Sequence, residues 1–140
     1  VLYSPPIMMG NPLFRLSRLY GWIPVSIPHS WTSTGPTDPE VDRQSWYYDR
    51  IPLPAIHQIH LITNHVRRHL PAVVAPALVF MSRQDRALKF ESAQTVLDEI
   101  NSSDKRLITL TESGHNPLID RERESVHKET AAFCARLCNT

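Results

Sequence analysis

The chain has 140 residues, which is enough for one domain with a hydrophobic core. Hydrophobic residues make up 41% of the sequence and charged residues 21%, a balance typical of folded globular domains. The formal net charge of +1 gives no reason to expect a nucleic acid or an anionic membrane as a partner. No apolar run approaches the roughly 20 residues that a membrane-spanning helix needs.

The first half of the chain is rich in proline and aromatic residues. Of the 12 prolines only Pro117 follows Pro76, and every tryptophan and tyrosine lies within residues 1–48. Because proline removes a backbone donor and fixes φ, this half favours short helices and loops after the opening run "VLYSP", which we interpret as a short buried strand. We therefore expect a core strand at 1–5, a helical cap and return to the core at 6–72, and an α/β core at 73–140. An ordinary packed subdomain is the alternative to a cap.

Two stretches of the first half carry clear local signals. The segment "WTSTGPTDPEVD" (31–42) has the glycine, proline, serine and aspartate content of an exposed loop. Apolar residues recur every three or four positions in the run that follows, which predicts one helix with an apolar stripe: Ile56, Ile59, Ile62, Val66 and Leu70.

The second half alternates strands and helices. "ALVFMS" (77–82) predicts a parallel strand covered on both faces, and "RLITLTES" (106–113) predicts a second strand. Between them the apolar spacing of "FESAQTVLDEI" predicts an amphipathic helix, and a last helix follows Asp120, which is placed to cap it. Two strands joined through a helix should be parallel, so the order indicates an α/β sheet.

Asp85 and His115 each follow one of these strands. Parallel strands end at the same edge of a sheet, the edge where open α/β sheets bind ligands, so both side chains are expected there. A carboxylate can orient an imidazole through Nδ1 and stabilise its protonated form. An aspartate or histidine alone at such a turn is more often structural, and the hypothesis depends on the pair and on its order.

At these residues the sequence resembles a known family. "PALVFMSRQD" and "SGHNPLIDRERE" resemble the C-terminal part of bacterial carboxylesterases and monoacylglycerol-lipase-like enzymes of the α/β-hydrolase superfamily. The resemblance is good over about 47–137 and weak over 6–46, and many relatives have glycine where Ser82 stands. It implies a partial α/β-hydrolase fold with a helical cap insertion, in which Asp85 is the acid and His115 the base of a catalytic triad.

The nucleophile of such a triad is missing from this chain. The family uses Gly-x-Ser-x-Gly on a strand-to-helix turn, and no two of the 4 glycines here, Gly10, Gly21, Gly35 and Gly114, have that spacing. Ser4 ends the opening strand but lacks the strained turn, and Ser113 is too close along the backbone to reach His115 Nε2. We therefore expect the C-terminal half of a serine carboxylesterase or lipase-like hydrolase, which is inactive without its N-terminal half.

The expected substrate is a small apolar ester or a monoacylglycerol, and no metal or organic cofactor is expected. The alternatives are a catalytically inactive, partner-binding α/β domain, or C–C bond or halide chemistry on the same scaffold. The four-residue spacing of His65 and His69 could suit a metal, but Arg67 and Arg68 disfavour one, so we interpret them as a solvated helix face. Cys134 and Cys138 are expected to be reduced thiols, and we expect a cytoplasmic protein.

Overall fold

A computed structural model describes residues 1–31 and 35–139. The strands are β1 (Leu2–Tyr3), β2 (Ser26–Pro28), β3 (Arg50–Pro52), β4 (Ala77–Ser82) and β5 (Lys105–Leu110). The α-helices are α1 (Ser17–Tyr20), α2 (Pro39–Gln44), α3 (Leu53–His69), α4 (Glu91–Glu99) and α5 (Arg123–Cys138), with short 3₁₀ helices at Pro12–Leu16, His29–Trp31 and Leu70–Ala72. No helix within these two described ranges is both long enough and apolar enough to cross a membrane.

The main sheet has the strand order β1-β4-β5, and both pairings are parallel. Ser82 pairs with Leu110, so β4 and β5 end side by side. The predicted α/β sheet with these two strands as neighbours is thus confirmed. β5 ends three residues earlier than predicted because the amides of Thr111 and Ser113 bind the Glu122 carboxylate instead of continuing the ladder.

Both faces of the central strand β4 are covered. Val79 and Met81 pack in one cluster with Val96 of α4, and Leu78 and Phe80 pack in a second cluster on the other face of the sheet, which also contains Val126 of α5. Every residue of β4 is buried. This explains the continuous apolar run, because alternating side chains of one strand serve two helical layers.

The predicted burial of β1 is wrong for its first residues. Leu2 keeps 41% of its surface exposed, because β1 lies at the edge of the sheet and pairs only with β4 in the part of the chain that the structure describes. The stripe of α3 is likewise only partly covered. Leu70, just beyond the helix, is buried, whereas Ile62 is 61% exposed.

Part of the predicted loop at 31–42 is helical. Residues 32–34 of that segment lie outside the described residues, and α2 begins at Pro39. The Asp38 carboxylate accepts a hydrogen bond of 2.9 Å from the amide of Glu40, and Pro39 occupies the first helical position. An acceptor followed by proline is a helix start, so the loop composition concealed a short helix.

Ser92 provides a test of how the segment after β1 is fixed to α4. Its buried hydroxyl accepts the amide of Ile7 at 2.8 Å and donates to the carbonyl of Pro5. Ser92→Ala leaves both groups without this partner, so we expect the free energy of unfolding to fall by about 1–3 kcal/mol. Urea unfolding should show this loss, and Ser125→Ala, at an exposed position of α5, should show none. Equal stability of the two variants would contradict the assigned role.

Candidate active site

Asp85 and His115 lie together at the carboxyl edge of the main sheet. Nδ1 of His115 is 3.0 Å from Oδ2 of Asp85. The Asp85 side chain is fully buried, whereas that of His115 is 31% exposed. The predicted meeting of these two side chains is therefore observed, and Nδ1 carries the shared proton because an ionised carboxylate can only accept.

The Asp85 carboxylate is held in its ionised form. Burial alone would raise the pKa of Asp85, but the hydrogen bond and the charge of His115, together with the amides of Leu88 and Ala87, outweigh burial and lower the pKa. These amides donate to Oδ1 at 3.0 and 2.8 Å, which leaves Oδ2 for the imidazole. The turn after β4 thus fixes the carboxylate in one orientation.

The turn that carries His115 is bound by a second carboxylate. Glu122 accepts the amides of Thr111, Glu112 and Ser113 at 2.9 to 3.2 Å, and the Ser113 hydroxyl accepts the amide of Glu122 at 3.1 Å. Burial opposes ionisation of Glu122, but these donors lower its pKa. The backbone before His115 is therefore fixed even though it no longer belongs to β5.

Ser82 joins the two turns. Its buried hydroxyl donates to the carbonyl of Ser113 and accepts the amide of Gln84 at 3.0 Å. The turn of the carboxylate and the turn of the imidazole are therefore linked through one side chain. A glycine at this position would lack this link.

Asp120 does not cap α5 as predicted. The helix begins at Arg123, and the preceding residue, Glu122, makes no side-chain capping bond. The Asp120 carboxylate instead accepts the amide of Gly114 at 2.6 Å and that of Thr37 at 2.7 Å. The prediction failed because the carboxylate binds the backbone at Thr37, 83 positions away, and no local pattern indicates that contact.

A groove of about 1290 Å³ lies over the exposed face of His115. One wall comes from α2 and the residues after it, and the other from the end of β1, the 115–119 turn and the start of α5. Apolar side chains of Val41, Trp46, Leu118 and Ile119 share the lining with Glu40 and Arg123, among others. An imidazole bound by a carboxylate thus faces a space large enough for a small molecule.

The two serines considered as substitute nucleophiles are poorly placed. Ser113 is fully buried, and its hydroxyl accepts the amide of Glu122. Ser4 lines the groove and has φ of 44°, so the expectation of an unstrained backbone there was wrong. Its hydroxyl is buried and makes no hydrogen bond to His115, and Pro5 has no amide to stabilise an oxyanion.

The histidines of α3 form no metal centre with other residues that the structure describes. His65 and His69 lie with ring centroids 4.4 Å apart, and Nδ1 of His69 contacts the carbonyl of His65. Within residues 1–31 and 35–139 no group of three histidine, cysteine, aspartate or glutamate residues could hold a metal. Cys134 and Cys138 are exposed on α5.

The fold is that of an esterase- or lipase-like α/β-hydrolase. Residues 5–122 match the family model described as serine aminopeptidase, S33, and the chain therefore belongs to that family of hydrolases.

Curated relatives and solved structures agree with this assignment. The chain is 25% identical over 103 residues to a carboxylesterase of Bacillus subtilis, covering 74% of this chain and 42% of that protein. It is 23% identical over 110 residues to a thermostable monoacylglycerol lipase of Bacillus sp. strain H-257, covering 79% and 44%. The chain thus spans less than half the length of both curated relatives.

In solved structures this chain matches slightly more than half of each solved chain. A structure from work on the metagenome-derived lipolytic enzymes LipS and LipT matches 96% of this chain and 53% of its own, with a TM-score of 0.85 and 23% identity. A monoacylglycerol lipase of Paleococcus ferrophilus matches 94% and 56%, with a TM-score of 0.77 and 16% identity.

The ionised state of Asp85 predicts part of the acid sensitivity of this chain. A group whose pKa is lowered on folding stabilises the protein above its ordinary pKa, near 4, and this stabilisation disappears as the pH falls below it. Asp85→Asn should therefore lose less stability than the wild type when the pH is lowered from about 5 to 2. Urea unfolding across this range measures the difference.

Asp98→Asn is the matched control for this experiment. Asp98 is an exposed carboxylate of α4 that accepts a hydrogen bond from Gln94 on the same helix. It should keep the acid sensitivity of the wild type. If the free energy of unfolding of Asp85→Asn falls with pH as steeply as that of the wild type and of Asp98→Asn, Asp85 is not the ionised group described above.

Proposed function

We propose that this chain is the C-terminal part of a carboxylic ester hydrolase, in which Asp85 and His115 are the acid and base of a Ser-Asp-His triad. The serine is supplied by a segment outside these 140 residues. The observation that carries the proposal is the 3.0 Å contact between a fully buried carboxylate and an imidazole whose other side faces the groove. The residues 6–72 form the cap of this enzyme and its return to the core.

The chemistry follows from the two ring nitrogens of His115. With Nδ1 bound to Asp85, Nε2 takes the proton of the serine hydroxyl as its oxygen attacks the ester carbonyl. Asp85 stabilises the imidazolium without taking the proton. Nε2 then protonates the departing alkoxide, and a water molecule activated in the same way releases the acid from the acyl-serine.

The substrate class follows from the lining of the groove. Val41, Trp46, Leu118 and Ile119 offer apolar surface beside His115, which suits an acyl chain rather than a charged acid. The named relatives are a carboxylesterase and a monoacylglycerol lipase. We therefore propose a small apolar ester or a monoacylglycerol as the substrate.

The missing half has a defined docking surface on this chain. β1 has an open edge, and Leu2 points to the face opposite Tyr3, whose ring stacks on Phe80 in the cluster that includes Val126 of α5. α3 lies beside the end of this strand, where Thr63 donates a hydrogen bond of 3.0 Å to the carbonyl of Pro6 just after β1.

One flank of α3 is apolar and uncovered. Ile59, Ile62 and Val66 are 42%, 61% and 41% exposed. Arg67 binds Glu99 of α4. Ile62 lies five positions before Arg67, which corresponds to a rotation of about 140° around the helix axis, so the Ile62 side chain points away from α4. An open strand edge beside an apolar helix flank fits a further parallel strand followed by a helix.

A catalytically inactive, partner-binding α/β domain is the second candidate. The absence of Gly-x-Ser-x-Gly from the sequence favours it, and the open edge of β1 would then bind another protein. The coding sequence upstream of Val1 separates the two candidates. A Gly-x-Ser-x-Gly some tens of residues before Val1 supports the hydrolase, and a stop codon contradicts it.

The role of His115 is tested in the protein that joins this chain to its upstream half. His115→Ala should lower the turnover of a p-nitrophenyl ester by several orders of magnitude, because the serine loses its base. His65→Ala, on the exposed part of α3, should keep normal turnover. Near-normal turnover in His115→Ala would refute the assignment. The 140-residue chain alone should show no turnover that depends on His115.

The docking surface is tested by charge substitutions on two flanks of α3. Ile62→Lys should weaken the binding of the separately produced upstream half by tenfold or more, because a charge would be buried in the interface. Leu61→Lys is the control, since Leu61 is 47% exposed and points away from the buried Thr63. Calorimetric titration measures both affinities, and equal weakening by the two variants would exclude the proposed surface.

A further inference from the structure

The buried carboxylate of Asp120 joins two segments that are far apart in sequence. Oδ2 accepts the amides of Thr37 at 2.7 Å and Gly114 at 2.6 Å, and Oδ1 accepts the amides of Asp38 at 3.0 Å and Arg121 at 2.9 Å. The residue is completely buried. One side chain thus binds the backbone before α2 to the backbone beside His115.

Two further contacts bring the same segments together. A Cβ atom on Gly114 would lie 2.7 Å from the carbonyl oxygen of Gly35, so this close approach requires glycine. The Thr37 hydroxyl lies 2.5 Å from the carbonyl oxygen of Glu112, to which it donates. We call this set of contacts between residues 35–38 and 112–120 the joint.

The joint controls where one wall of the groove lies. Asp38 is the residue that caps α2, and α2 with the residues up to Tyr47 forms the wall that faces His115 across the groove. Gly114, on the other side of the joint, directly precedes His115. The distance between this wall and the imidazole is therefore fixed through Asp120.

We propose that Asp120 is a positioning residue that sets the width of the groove beside His115 by fixing the α2 wall to the His115 turn. The consequence for ester binding rests on the proposed function. Asparagine cannot replace the carboxylate, because its amide group offers one acceptor oxygen and presents donors to two of the four backbone amides. The contacts of the joint lie within this chain and do not depend on the proposed function.

The joint needs the ionised form of Asp120. Burial would raise the pKa of Asp120, but the amides of Gly114, Thr37, Arg121 and Asp38 outweigh it and lower the pKa. The stabilisation is present above the ordinary pKa of aspartate and disappears only as the pH falls below it. The hydrogen bonds of the joint are therefore retained across the neutral pH range.

Hydrogen exchange of the 140-residue chain, resolved by residue with NMR, tests the joint without any ester turnover. In Asp120→Asn the amides of Thr37 and Asp38 should exchange at least about tenfold faster than in the wild type, because they lose their acceptor. Glu122→Gln is the matched control. It replaces another carboxylate of the same turn that also accepts several backbone amides. It should accelerate exchange at residues 111–113 while Thr37 and Asp38 stay protected.

In the exchange experiment on Asp120→Asn and Glu122→Gln, either of two results would overturn the proposal. One is wild-type protection of Thr37 and Asp38 in Asp120→Asn. The other is equal acceleration of these two amides in Glu122→Gln. If Asp120→Asn does not fold, Thr37→Val decides, because it removes only the hydroxyl contacts of the joint. It should accelerate exchange at residues 37 and 38 more than Thr111→Val at an exposed threonine does, and equal exchange in the two would overturn the proposal.

Kinetics of the protein joined to its upstream half give a second readout. Asp120→Asn should raise KM for a long-chain ester several-fold more than for an acetate ester, since the wall that contacts the acyl chain is displaced. Glu122→Gln should show no such dependence on chain length. An identical change in KM for both esters in Asp120→Asn would contradict control of groove width. Absence of turnover in the wild type would refute the proposed function, while the exchange experiment would still decide the joint.

Discussion

The parallel pairing of β4 with β5 is the constraint on which the rest of the site depends. Because Ser82 and Leu110 end their strands side by side, the turns that follow must leave the same edge of the sheet. A carboxylate on one turn then meets an imidazole on the other, at 3.0 Å. Both faces of β4 are covered by apolar clusters, so a slip of one residue would move each of its side chains to the opposite face.

Sequence reasoning found the parts of the site that local patterns specify. The apolar run of β4, the stripe of α4 and the β-branched residues of β5 predicted alternating elements, and Asp85 and His115 followed from their positions after two strands. Residues whose partners are distant were missed. Thr37 and Asp120 are 83 positions apart and meet only because the segment before α2 returns to the carboxyl edge, which no periodicity encodes.

Two features of the structure could not be predicted from local sequence patterns. A residue before proline favours extended backbone, so no local pattern predicts the φ of 44° at Ser4. The stripe of α3 predicted a helix, which is observed, but helical periodicity shows only that a face is apolar and not whether anything covers it. Ile62 remains exposed because no neighbouring element among the described residues reaches that flank.

The link from Ser82 to Ser113 has a consequence for how a complete site would come together. The carboxylate and the imidazole are oriented within this chain, by a link between the two turns that carry them. A group that enters the groove would therefore meet an imidazole that is already aligned, and the ordering entropy of these two side chains is lost when the chain folds and not when the group binds.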